Sequence, residues 1–300
     1  MSRSEPRKKS KRNEVNPAHR QALSKLRWAR ALLYVVIFIL LVPFVFPLWW
    51  MVTSSLKSVN EVFAFPPSLW PENPMWENYL RVFELQPFAQ QYFNSVYIAL
   101  LVTAGVVLVS SMAGYAFARI NFPGANLLFI VLIAGLMIPR EVIIVPLFQM
   151  FQSVGLTDSH VPLILIPMFG AQSVFGTFLM RQFFMGLPTE LEEAGRMDGL
   201  GRFGIFFKVA LPLATPALAA LTIIVFLQTW DMFIEPLVFL SSPEQFTLPL
   251  ALTHFSDAYG GPIWNVQLAA TTMMTLPVLL VYILAQRQFI QGIAQTGLKG

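Results

Sequence analysis

Ala31 to Val52 reads ALLYVVIFILLVPFVFPLWWMV, an unbroken apolar run without a single charge. About 22 residues at 1.5 Å rise cover roughly 33 Å, enough to cross a hydrocarbon core. The run is too long for a secretory leader. About 30 residues precede it, and Thr53-Ser54-Ser55-Leu56-Lys57 offers no small-x-small cleavage site. A retained transmembrane helix is expected. The rest of the composition agrees: of 300 residues, 56% are hydrophobic and only 12% are charged. A soluble domain carries about 25% charge, so this chain has half the charge needed to clothe a soluble surface. A disordered, collagen-like or nucleic-acid-coating chain is excluded. The 22 Pro and 17 Gly suit membrane helices, where neighbours re-satisfy freed backbone groups. No Cys is present, so disulfides, thiolate metal sites and cysteine nucleophiles are ruled out. The three His (His19, His160, His254) are scattered, and no metal site is expected.

Five more spans are expected, near Tyr92–Phe117, Ala125–Phe148, Val161–Leu179, Leu211–Ile234 and Gln267–Leu284. The expected fold is an all-α integral membrane protein with six transmembrane helices. It divides into a basic tail (1–30), a first transmembrane helix (31–53), a loop (54–91), a five-helix core (92–287) containing the loop 181–210, and a C-terminal segment (288–300). Lys and Arg orient it. Residues 1–30 hold ten of the chain's 20 basic residues. With the N-terminus cytoplasmic, Arg119, Arg181, Arg196, Arg202, Lys208, Arg287 and Lys299 also fall inside, while only Lys57 and Arg81 fall in outside loops. Both termini are therefore expected to be cytoplasmic. The basic tail reads as a topogenic, lipid-facing segment, and no nucleic-acid partner is expected. The outside loop holds Phe63-Ala64-Phe65-Pro66-Pro67 and Trp70-Pro71-Glu72-Asn73-Pro74. It reads as an ordered excursion with a short helix near Trp76–Phe83, open to an external partner.

The cytoplasmic stretch Leu187-Pro188-Thr189-Glu190-Leu191-Glu192-Glu193-Ala194-Gly195-Arg196-Met197-Asp198-Gly199-Leu200 carries unusually clear start and stop signals. Thr189 with Glu192 has capping-box spacing. Glu190, Glu192 and Glu193 sit where a helix dipole favours negative charge. Gly199 is placed to end the helix with positive φ. The spacing predicts a short helix of about 9 residues. By itself this is either a plain connector or a rigid knob for a soluble partner.

The same stretch resembles the coupling motif of the permease subunits of binding-protein-dependent ABC importers. That motif runs Glu-Ala-Ala, three residues, Gly, nine residues, Ile, one residue, Leu-Pro. Here Glu193-Ala194-Gly195, Gly199, Val209 and Leu211-Pro212 stand at every required spacing. Gly195 replaces the second Ala, and Val209 replaces Ile. Trp76-Glu77-Asn78-Tyr79, Gly114-Tyr115-Ala116-Phe117-Ala118-Arg119, Met137-Ile138-Pro139 and the ending Gln288 to Gly300 are similar to the carbohydrate-uptake class, of maltose or glycerol-3-phosphate type. That ending is similar to the closing segment of the shorter of two paired permeases in the class.

The resemblance implies a type I importer permease fold with a cytoplasmic coupling helix, Thr189–Gly199, set in a bacterial inner membrane. It implies ATPase coupling through Glu192, Glu193, Ala194, Gly195, Asp198 and Gly199, with Gly195 keeping a docking surface tight. The implied partners are a second permease, two ATPase subunits and an external solute-binding protein. No cofactor is implied in this chain, since ATP and Mg belong to the ATPase. Consistently, the sequence contains no G-x-x-x-x-G-K-[ST], H-E-x-x-H or G-x-S-x-G, so catalysis is not expected. The implied cargo is a sugar or oligosaccharide, with a glycerol-3-phosphate or polyol importer as the alternative. A self-sufficient secondary transporter is the competing class, but no internal repeat supports it.

Intramembrane charge is costly and marks candidate function. Asp231 and Glu235, four apart at the end of the fifth span, are expected to share a helical face beside Trp230. They either form a sugar-binding pathway patch or lie wetted at the interface. The family commonly carries Asn at the position of Asp231. Arg140-Glu141 follows Pro139, which should break the third span; the two charges either line a pathway or form a structural pair. Pro212, Pro216 and Pro277 are further candidate kinks.

Overall fold

The computed structural model describes the backbone of residues 17–256 and 260–297, and the side chains of 32–256 and 260–284 with Trp28 and Arg30. The other side chains of the expected basic tail, and those of the C-terminal segment 288–300, lie outside the described residues. Among the described residues the chain is helical, with no strand and one isolated bridge, Ser256–Pro262. Four helices among the described residues are long and apolar enough to cross a membrane, or up to six when each of two bent pairs is taken as one span.

The chain separates into two compact units, residues 1–53 and 54–300. The first is built on the helix Pro17–Ser55, whose apolar part runs Leu32–Ser55 and contains Pro43 and Pro47. Phe46 lies 5.7 Å from Trp49 and 6.0 Å from Trp50 between ring centroids. Such an aromatic cluster at the end of an apolar run suits a membrane–water interface.

The second unit is organised on the second span, Phe88–Arg119, which starts before the expected Tyr92. It packs closely on the fourth span, Val161–Met185. Small residues permit this: a Cβ on Gly114 would lie 2.7 Å from Met180 Cβ and 2.9 Å from the Arg181 amide nitrogen. Close helix approach through glycine replaces the hydrophobic drive that lipid cannot supply. The Ser110 hydroxyl donates to the Ser173 carbonyl across the same seam at 3.1 Å.

Three spans are broken, the third span at the expected Pro139. The third divides into Ala125–Met137 and Arg140–Ser153 at 98°, with Pro139 extended (φ −60, ψ 137). The fourth is interrupted at Gly170 (φ −106, ψ −148). The fifth begins earlier than Leu211, as Arg202–Leu213, turns by 78° before Thr215–Trp230, and ends before the expected Ile234. Pro216 stands in the first turn of Thr215–Trp230, where the missing N–H costs nothing, and Pro212 lies near the end of the first segment, just after the π-helical turn Phe206–Ala210. The sixth helix, Trp264–Gly297, carries Pro277 without a break.

The segments between spans are pinned by buried polar groups. The Asn78 side chain, in a helix at Glu77–Leu85, donates to the carbonyls of Ser55 (2.8 Å) and Lys57 (3.0 Å). Asn265, at the start of the sixth helix, donates to Asn78 Oδ1 at 3.0 Å. Fully buried Lys57 donates to the Ser68 carbonyl at 2.6 Å. The segment 241–248 is tied down similarly. Asn94 donates to the Glu244 carbonyl at 2.8 Å, and Ser95 accepts from the Leu248 amide at 2.7 Å. Asp158 Oδ1 accepts from the amides of Ser241 (2.8 Å) and Ser242 (3.0 Å).

Candidate coupling helix and pathway cavity

Pro188 disfavours helix at Leu187, so the fourth span ends at Met185 and a separate helix forms at Glu190–Met197. The expected capping box is not made. Thr189 has helical dihedrals (φ −69, ψ −27), and its side chain makes no cap bond. Instead its carbonyl accepts from the amides of Glu192 (3.0 Å) and Glu193 (3.1 Å). The Glu192 carboxylate turns inward, where Arg119 Nε lies 3.2 Å away with both side chains about nine-tenths buried. A buried guanidinium is a stronger partner for a carboxylate than a solvated backbone amide. This contact is an ion pair rather than an aligned hydrogen bond. Arg119 Nη2 also donates to the carbonyls of Phe184 (2.6 Å) and Leu187 (2.5 Å). One arginine thus joins the end of the second span, the end of the fourth, and the short helix. Arg196 approaches Glu192 to 4.0 Å from the helix itself.

The helix closes as its sequence foretells. Gly199 has φ +80; its amide donates to the Arg196 carbonyl, and the Leu200 amide donates to the Gly195 carbonyl, both at 3.0 Å. These are the paired bonds of a Schellman ending. Gly195 is buried and faces Ile205, Leu200 and Val209, so it is not on the docking surface expected for it. Glu190, Glu193, Ala194 and Asp198 are exposed. The helix is anchored on one side and acidic on the other.

The second feature is a cavity of about 1070 Å³ between the third, fourth and fifth spans. Its walls are apolar, with Phe169 and Phe175 among them, and its polar groups are Arg140, Gln172, Gln228, Asp231 and Glu235. The breaks of the third and fourth spans reach its lining through Arg140 and Gly170, and the end of the fifth span reaches it through Asp231–Glu235; the turn at Ala214 does not. Irregular backbone at membrane depth is tolerated where it is buried in protein or borders a water-filled cavity.

Asp231 and Glu235 therefore meet at one cavity, but not as one helical face. The fifth span ends at Trp230, Asp231 caps it, and Glu235 belongs to a separate helix, Ile234–Phe239. Trp230 does not line the cavity. It is 1% exposed, stacked on Phe226 (5.8 Å, 17°) and edge-on to Tyr92 (6.2 Å). Consecutive helical residues point about 100° apart, so Trp230 and Asp231 face opposite environments. Arg140 pairs with Glu235 at 3.5 Å rather than with its neighbour Glu141. Arg119, Gln172 and Gln228 were not among the expected site residues. Arg119 looks like an ordinary topogenic charge, and only its place in Gly114–Arg119, beside a cluster of three carboxylates further on, hinted at a partner. The two glutamines carry no periodic signal.

A family model described as "Binding-protein-dependent transport system inner membrane component" matches residues 105–295. The chain is 36% identical to the arabinooligosaccharides transport system permease protein AraQ of Halalkalibacterium halodurans, over 85% of this chain and 91% of that protein. It is 33% identical to the sn-glycerol-3-phosphate transport system permease protein UgpE of Yersinia enterocolitica, over 88% and 95%. Its fold is like that of a solved chain from a bacterial ABC transporter involved in the import of the acidic polysaccharide alginate. The TM-score is 0.75 at 23% identity, covering 87% of this chain and 96% of that one.

Proposed function

We propose a working mechanism from one established premise: this chain belongs to the binding-protein-dependent transport system inner membrane component family and is an ABC importer permease. Its cargo is a sugar or oligosaccharide, as the name of the arabinooligosaccharide relative suggests. A glycerol-3-phosphate importer is the alternative that the second relative keeps open. A second permease completes the pathway, an external solute-binding protein delivers cargo, and two ATPase subunits bind inside. Both termini are cytoplasmic. ATP and Mg are held by the ATPase, and this chain hydrolyses nothing itself.

The observation that carries this reading is the helix Glu190–Met197, which presents Glu193 and Ala194 outward while Glu192 holds it to Arg119. When the ATPase pair closes, the exposed face moves with it. The buried ion pair and the two carbonyl contacts of Arg119 pass that displacement to the ends of the second and fourth spans. Those spans close packed on each other move as a body, and the fourth span walls the cavity. The broken third and fifth spans supply the joints about which that wall is reshaped.

The test is purification of the tagged chain from native membranes in mild detergent, with subunit mass analysis and an ATPase assay. Recovery of a second permease and an ATPase, with hydrolysis stimulated by a loaded binding protein, is expected. A chain that purifies alone and still accumulates solute in vesicles without ATP would favour a secondary transporter.

A further inference from the structure

The fifth span bends by 78° between Arg202–Leu213 and Thr215–Trp230. A spanning helix tilts by about 20° on average, so the first segment runs within about 30° of the membrane plane. Its depth is fixed by what it packs on. Phe206 lies 5.2 Å from Tyr115 and 6.4 Å from Phe184 between ring centroids. Tyr115 is one turn from the end of the second span, and Phe184 is next to the end of the fourth. The segment therefore lies flat at the level where two spans leave the hydrocarbon, and it follows the helix Glu190–Met197 in the chain.

Its two faces differ. Ile205, Phe206 and Ala210 are buried in the protein. On the other side Phe203 is 72% exposed, and Phe207, one turn on and so on the same face, is 48% exposed. Arg202 and Lys208 flank them, both exposed and without an ion-pair partner among the described residues. No carboxylate stands between Arg202 and Leu213. The exposed acids Glu190, Glu193 and Asp198 belong to the preceding helix and its end. Charge thus changes sign between the helix offered to a soluble partner and the segment lying flat. Aromatic rings flanked by cations, on a helix in the plane of the interface, fit acyl chains on one side and anionic headgroups around them. We propose that Arg202–Leu213 is an anionic-phospholipid site: Phe203 and Phe207 enter the leaflet, and Arg202 and Lys208 bind headgroups of net negative charge. The segment joins the Glu190–Met197 helix to the rest of the fifth span, so a bound lipid anchors that connection whatever the cargo.

The chain has no cysteine, so Phe207→Cys gives it a single labelling site in an assembled importer whose other subunits lack accessible thiols. Phe203→Cys repeats the measurement if the first variant assembles poorly. The thiol carries a nitrobenzoxadiazole label, and the importer is placed in nanodiscs of phosphatidylcholine and phosphatidylglycerol. Phospholipid with a doxyl group high on its acyl chain should quench the label, and aqueous iodide should not. Doxyl-phosphatidylglycerol should quench more than doxyl-phosphatidylcholine at the same mole fraction, by about fivefold for one cation at an anionic surface. Adding Arg202→Gln and Lys208→Gln should bring the two lipids level while both still quench. Equal quenching by the two lipids without those changes would overturn the recognition of anionic headgroups. Quenching by iodide and not by lipid would overturn the placement in the leaflet. A label shielded from both, and opened to iodide only when the ATPase is stripped away, would give this face to the ATPase and overturn the proposal.

Discussion

Gly195 and Gly199 stand four residues apart, yet the backbone asks different things of them. At Gly195 a methyl group would sit 3.5 Å from Ile205 and 3.6 Å from Leu200 and Val209, ordinary contact distances. Gly195→Ala should therefore stabilise the helix by about 1 kcal/mol, seen as a higher melting temperature of the purified complex with transport retained. Gly199 has φ +80, where a Cβ costs roughly 1–2 kcal/mol; Gly199→Ala should lower the melting temperature. Equal effects of the two changes would contradict this geometry. Arg119 is the third residue of consequence. Arg119→Ala leaves Glu192 buried without its partner, a loss of about 3–5 kcal/mol. Arg119→Lys keeps the charge but cannot span Phe184, Leu187 and Glu192 together, so it should fall between. Partial recovery of thermal stability when Glu192→Gln is added to Arg119→Ala would mark the ion pair as the cause. No recovery would assign the loss to the two carbonyl contacts.

Among elements, the long apolar helices were legible because hydropathy and length leave little choice in a bilayer. The break at Pro139 was legible too, because proline both lacks a donor and clashes with the preceding turn. The interruptions at Gly170 and Asp231 were not. Glycine is common in membrane helices for packing, and the run through Asp231 to Glu235 keeps helical spacing even though Phe233 leaves helical geometry (φ −124). The capping box failed for a related reason: local spacing cannot show that Arg119, more than seventy residues earlier in the chain, competes for Glu192. Asp158 is another such long-range contact. Its carboxylate is held below the ordinary range, first by the Ser242 hydroxyl and then by the amides of Ser241 and Ser242. Because the folded value is depressed, the stabilisation is fully present above the ordinary carboxylate pKa and is lost as pH falls through the lowered one. Amide exchange at Ser241 and Ser242 should stay slow at neutral pH and speed up only in that acid window. Asp158→Asn should remove the step and cost about 1 kcal/mol. An acid step that survives in the variant would point to another group.

At the scale of the whole molecule, the motif Glu193 to Pro212 announced the family, and the family match over residues 105–295 agrees with it. What the motif did not announce is the division of labour within it. Glu192 and Gly195 face inward and hold the helix, while Glu193, Ala194 and Asp198 face outward and are free to meet another surface. The most direct measurement is therefore on Glu193→Lys, reconstituted with the remaining subunits and compared with wild type for ATP hydrolysis stimulated by the binding protein and for solute uptake. Charge reversal on an exposed position should leave membrane insertion and thermal stability within about 0.5 kcal/mol of wild type. The expected result is loss of stimulated hydrolysis and uptake together, with normal amounts of the chain in the membrane. Full coupled transport by Glu193→Lys would contradict the account and reduce the Glu190–Met197 helix to a connector.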